Sequence, residues 1–354
     1  MHSMRSVIVY VMLILLASLA GGFRLASAQN TGYAVKKPVI GGACALCPWG
    51  AMADVVREAM LLYGWDVQIC HNCAGGARAA RHVASALIPE PRAVASGHMP
   101  TPKGPVDFGV TGAHYLQWAY VGIDFFANTP ELPLYKKFRL VANIQEPTYL
   151  IVAVKADSRF SGITDLSEIV KERMPVKLLA IFRGGNLMRI ILDYYGLTQE
   201  KVESFGGAYS TRYSEGEDFD IVMGIGSLVN APEFRMWYRI SQIYDLKYLE
   251  VAEDLREKLV KERYLEQRNL PFGYLRGVDR PIPTVGRTGT AIYGREDMPD
   301  DFAYTLAKAM DEQQHLLHWT HMNFSYNPHT VWKAFDVPLH PGAARYYKER
   351  GYMK

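Results

Sequence analysis

The chain has 354 residues, a formal net charge of +3 and 49% apolar residues. That is ample apolar material for two packed domains. With no basic stripe and no long block of like charge, it argues against a nucleic-acid-binding surface. The one sustained apolar run, residues 7–20, is shorter than the ~20 residues a bilayer span needs.

Arg5 ahead of that run and Ala26-Ser27-Ala28 behind it have the layout of a secretory signal. The expectation is a signal over 1–28, cleaved after Ala28, and an extracytoplasmic mature chain. No Cys stands near the cleavage point, which argues against a lipid anchor. Lys37–Ile40 then reads as a strand leading into Gly41-Gly42. Met52, Val55, Val56, Ala59 and Leu62 fall at helical spacing and predict a helix over 48–63, opened by Pro48 and stopped by Gly64. Trp65, Val67 and Ile69 alternate as in a strand, Gly75-Gly76 opens a second helix, and Val106–Val110 is a third strand after a Pro/Gly-rich stretch over 89–105.

Two apolar, β-rich runs follow, 139–143 and 149–154, split by Glu146-Pro147. A second unit comprises a strand over 177–182, the turn Arg183-Gly184-Gly185, a helix over 186–195 and a strand over 219–223. A charged amphipathic helix is predicted over 251–268, a strand over 285–293, and a long helix after Pro299-Asp300-Asp301. Strands alternating with helices predict parallel, doubly wound sheets, two of them, with ligands at the carboxyl ends of the strands.

The tail Pro338-Leu339-His340-Pro341-Gly342-Ala343-Ala344-Arg345-Tyr346-Tyr347, with Gly351 beyond, resembles the C-terminal signature of TAXI-type solute-binding proteins, the extracytoplasmic receptors of tripartite ATP-independent periplasmic (TRAP) transporters. The Gly-rich first turn, the 106–112 strand, Glu146-Pro147 with Val154–Ser158 after it, and Ile282–Gly286 are similar in order. The resemblance implies a two-lobed periplasmic-binding-protein-like α/β fold of type II. Each lobe would be a mostly parallel sheet flanked by helices, with the ligand cleft between lobes. Residues 29–145 plus 285–354 would form the first lobe and 146–284 the second. It also implies no catalysis, no cofactor, membrane-subunit partners, and an organic acid or acidic amino acid as ligand. The chain departs from the pattern in both presumed cleft turns. Ala43–Trp49 stands where relatives have Gly-Gly-x-Tyr-Tyr-Pro, and Arg183–Asn186 where they have Gly-Ser-Gly-Thr.

All four cysteines lie in two Cys-x-x-Cys pairs, Cys44/Cys47 and Cys70/Cys73, following the first and second strands. In a parallel sheet those turns share one edge. Three readings stay open: disulfides, favoured in an oxidising compartment and expected to tie the two turns together; a tetrahedral zinc site; and a redox-active pair at the helix start after Cys47. The last two feed the alternative functions, a thiol-dependent redox protein or a metal-responsive sensory receptor. For a ligand, the turn Arg183-Gly184-Gly185-Asn186 offers backbone N–H groups and a guanidinium suited to a carboxylate. Gly42, Cys47, Trp49, Gly75, Thr111 and Gly112 complete the candidate binding set. His315, His318 and His321 read as a packed or solvated helix face, and His340 as structural.

Overall fold

The computed structural model describes residues 31–44, 47–71, 75–90, 101–145, 148–181, 186–214, 216–226, 235–319 and 325–354. The export segment expected over 1–28 lies outside the described residues. Among the described residues no helix is long and apolar enough to cross a membrane.

Strand β1 (Val39–Gly41) leads to α1 (Pro48–Leu61), which buries Met52, Val55, Val56 and Ala59, the face their spacing predicts. β2 (Gln68–Ile69), α2 (Ala79–Ala84), β3 (Val106–Gly112), α3 (Ala113–Val121) and β4 (Phe138–Ile144) complete the first run. The second run comprises β5 (Tyr149–Lys155), β6 (Lys177–Ile181), α4 (Asn186–Tyr195), β7 (Ala208–Ser210), β8 (Ile221–Gly226), α5 (Arg235–Ile243) and β9 (Leu246–Tyr248). Then come α6 (Glu253–Arg263), β10 (Glu266–Leu270), β11 (Ile282–Gly286), β12 (Thr290–Arg295), α7 (Asp300–Glu312) and α8 (Pro341–Glu349).

The strands form two five-stranded sheets in the orders β2-β1-β3-β12-β4 and β7-β6-β8-β5-β9, plus the β10-β11 ribbon. The sheets are mixed rather than wholly parallel. In each, the strand in fourth place, β12 or β5, runs against the other four. The crossovers cause this. β5 enters beside the last residue of β8 (Tyr149 opposite Gly226), and β12 enters beside the last residues of β3 and β4 (Thr290 opposite Gly112 and Ile144). A chain that arrives at the carboxyl end of a sheet must run backwards through it. The first crossover, from β4 to β5, therefore joins the carboxyl ends of the two sheets. The second, 287–289, leaves the β10-β11 ribbon beside Thr148 at the start of β5 (Arg287 N–H to Thr148 Oγ1, 2.9 Å) and enters the first sheet at its carboxyl end. The fold is α/β and two-lobed.

Two expected elements are divided differently. The strand expected over 285–293 is two, because β11 ends at Gly286 and Gly289 takes φ +139 before β12 begins. The helix expected over 251–268 stops at Arg263, where Tyr264 adopts φ +56. The next residues pair with β11 instead. Each sheet has its own apolar cluster on one face, and a further cluster runs from Ile40 and Phe108 through Val285 to Leu150 and Ile225.

The tail is structural. Asp311 on α7 is buried and accepts hydrogen bonds from Tyr346 Oη (2.7 Å), Arg350 Nε (3.1 Å) and Tyr352 Oη (3.0 Å). His340 caps α8. Its Nδ1 accepts from the Gly342 N–H at 3.2 Å, so the ring proton sits on Nε2, 3.0 Å from the Met298 carbonyl. Burial lowers its pKa and holds that neutral tautomer.

Candidate functional site

The turns at the carboxyl end of the first sheet assemble an aromatic wall. Trp49, the second residue of α1, lies over Gly75-Gly76. A Cβ on Gly75 would sit 3.2 Å from the indole, and one on Gly76, where φ is +63, 3.1 Å. The wall continues through Tyr115 (6.2 Å between ring centroids, edge-on to Trp49) to Trp118 (5.2 Å from Tyr115), both on α3. Two guanidiniums top it: Arg287, from the second crossover, 5.8 Å over Trp49, and Arg263, at the end of α6, 5.8 Å over Trp118. Trp118 Nε1 donates to the Arg263 carbonyl (3.0 Å), and Arg263 pairs with the buried Asp124 carboxylate at 3.1 Å. This contact ties α6, which packs against α4 and β11, to α3 of the first sheet.

The polar groups here are unusual in their burial. His114, at the start of α3, is 2% exposed. Burial, and after it the Arg287 charge, push its pKa well below the ordinary range, so the imidazole is neutral. Its Nδ1, Trp49 Nε1, Thr111 Oγ1, Asn143 Oδ1 and Thr288 Oγ1 are buried without a hydrogen-bond partner among the described residues. Thr111 and Asn143 flank Ala291 in one cross-strand row and project from the same face. An unpaired buried polar atom costs about 1–3 kcal/mol. This end of the sheet thus holds donors and acceptors suited to a small polar molecule beside an apolar wall.

Of the sequence-derived set, Trp49, Gly75, Thr111 and Gly112 belong to this constellation. Gly112 leaves room for the His114 ring, which a Cβ would meet at 2.6 Å. Gly42 serves packing: φ is +86 and a Cβ would press into the Val110 carbonyl oxygen. Thr111 is buried in the sheet. Arg183, Gly184, Gly185 and the side chain of Asn186 lie outside the described residues, as do His321 and Cys73. Tyr115, Trp118, Arg263 and Arg287 escaped the sequence reading. The signal at hand was Arg287 directly after Ile282–Gly286, at a crossover.

The cysteines correct one expectation. Cys44 bonds to Cys47 within its own turn and does not tie that turn to the next. The Cys47 N–H donates to the Cys44 carbonyl (3.2 Å), a tight turn that brings the two Cα atoms to 5.4 Å, inside disulfide range. Cys70 is buried and also disulfide-bonded. Sulfurs joined in a disulfide are not thiolates, so with Cys44, Cys47 and Cys70 all in disulfides the zinc reading loses at least three of its four ligands in this oxidation state.

A family model described as the NMT1-like family matches residues 99–351. Among solved structures, the chain is similar to a TctC solute-binding protein from Polaromonas (14% identity, 90% of this chain and 98% of that one, TM-score 0.43). It is also similar to MatC from Rhodopseudomonas palustris with bound malate (13%, 78% and 83%, TM-score 0.40). A third is iron-bound HitA from Pseudomonas aeruginosa (12%, 89% and 99%, TM-score 0.40).

Proposed function

The chain belongs to the NMT1-like family, and from that premise we propose that it is a non-catalytic, extracytoplasmic solute receptor of the TAXI type that delivers its ligand to TRAP-type membrane subunits. One observation carries the reading: two sheets of like strand order, meeting at their carboxyl ends where both crossovers run, with the Trp49–Tyr115 wall and Arg287 on that shared side. The ligand is a small carboxylate. Its apolar part packs on Trp49, its charge pairs with guanidinium, and the buried hydroxyls and indole N–H serve its remaining polar atoms. Lobes 29–145 plus 285–354 and 146–284 close on it, and contacts made only in the closed form select that form.

A thermal-shift screen of the mature chain against organic acids, amino acids and metal ions tests this, followed by calorimetry. A true ligand at 100 times its Kd adds about 2.7 kcal/mol to apparent stability. Arg287→Ala and Arg183→Ala should each weaken carboxylate binding by about 1.5–3 kcal/mol. If no carboxylate shifts the melting temperature, the anionic-ligand reading fails. If a metal ion alone does, the sensory alternative takes its place.

A further inference from the structure

Beyond solute capture, we propose that Cys44–Cys47 is a thiol–disulfide exchange site, reduced by a small dithiol or a dithiol protein, with Cys47 as the leaving thiolate. The bridge joins residues three positions apart. So small a ring removes little freedom from the unfolded chain, so it does little as a structural brace. Both cysteines are partly accessible, whereas Cys70 is 0% exposed.

The two sulfurs also differ. Cys47 is the N-cap of the 14-residue α1, with no side-chain cap bond and no acidic residue in the first turn. The helix begins there, with the Gly50 N–H donating to the Cys47 carbonyl at 3.0 Å. Unshared N–H groups and the positive end of the helix stabilise a thiolate at that position. Cys44 lies outside the helix, packed toward Gly75: a Cβ there would meet its Sγ at 2.9 Å.

An incoming thiolate therefore attacks Cys44 Sγ. The Cys44–Cys47 bond breaks and its electron pair leaves on Cys47. The second thiol of the reductant then attacks the mixed disulfide and releases Cys44 as thiolate, which takes up a proton. The protein gains two electrons and the dithiol becomes a disulfide.

The test uses the full mature chain. It is titrated with dithiothreitol, trapped with iodoacetamide at intervals and mapped by mass spectrometry, with near-UV circular dichroism reporting the fold. Cys44 and Cys47 should become labelled at least about tenfold faster than Cys70 while the native spectrum persists. Labelling of Cys70 as fast or faster, or labelling of Cys44 and Cys47 only on unfolding, overturns the proposal. In the reduced protein, the pH dependence of Cys47 alkylation should have its midpoint at least about one unit below the ordinary thiol value of ~8.5. A midpoint at or above that value overturns the assignment of Cys47. Cys44→Ser isolates Cys47 for this measurement. If that variant does not fold, peptide-resolved labelling of the reduced wild-type chain yields the same midpoint.

Discussion

The two sheets share a strand order and differ in what they bury. The strands of the second sheet, such as Tyr149–Lys155 and Ile221–Gly226, are nearly continuous apolar runs. Among the described residues they hold no buried polar atom lacking a partner. The strands of the first sheet hold four, on Asp107, Thr111, Asn143 and Tyr293, and the turns at its carboxyl end add Trp49, His114 and Thr288. A shared topology explains how two lobes arise and meet. It does not distribute the chemistry, which lies on the first sheet because polar side chains interrupt its strands.

Four measurements would break or sharpen that contrast. The largest effect is expected from Gly42→Ala, which puts a Cβ into the Val110 carbonyl at a φ of +86. Gly224→Ala does the same in the second sheet against the Ile181 carbonyl, at a φ that other residues adopt. Losses of about 4 and 3 kcal/mol are expected in chemical denaturation. Negligible losses at both positions would show that neither close backbone approach is a fixed part of its sheet.

Next comes Asp107. Burial raises its carboxyl pKa to about 6, against the lowering effects of the Val39 N–H bond (2.8 Å) and Arg295. The folded state therefore holds this proton more tightly than the unfolded chain. The contribution is full below about pH 4 and falls as pH rises toward 6, by at most about 3 kcal/mol. Asp107→Asn keeps an acceptor for Val39 and should flatten stability between pH 4 and 6. An unchanged slope would remove Asp107 from the polar account of the first sheet.

Arg263→Ala leaves the buried Asp124 without this partner and loosens the contact between α6 and α3. Because Arg263 is partly exposed, about 2 kcal/mol is expected, largely recovered with Asp124→Asn in the double-variant cycle. Additive losses would show that the pair does not couple the two lobes. Gly162→Ala, with nothing within 4 Å of the added Cβ, should change stability by less than about 0.5 kcal/mol and calibrates the others.

What was legible in the sequence was local. The α1 face of Met52, Val55, Val56 and Ala59 repeats every three to four residues, and Asn186–Tyr195 ends at a glycine with φ +69, so side-chain periodicity and a single backbone preference suffice. The Cys44/Cys47 pairing was less so. Spacing allows a bridge within a turn or between turns, and the choice rests on a backbone bond that closes one turn.

Sequence alone determined the order of strands, helices and Gly turns in this protein, because each follows from neighbours within a few residues. Tertiary structure decided the antiparallel passage of β5 and β12, the seat of Trp49 on Gly75-Gly76, and the meeting of Arg287 with Trp49 and of Arg263 with Trp118 and Asp124. The last two contacts join residues more than a hundred positions apart. No local pattern encodes them, since they exist only once both crossovers have brought the carboxyl ends of the two sheets together.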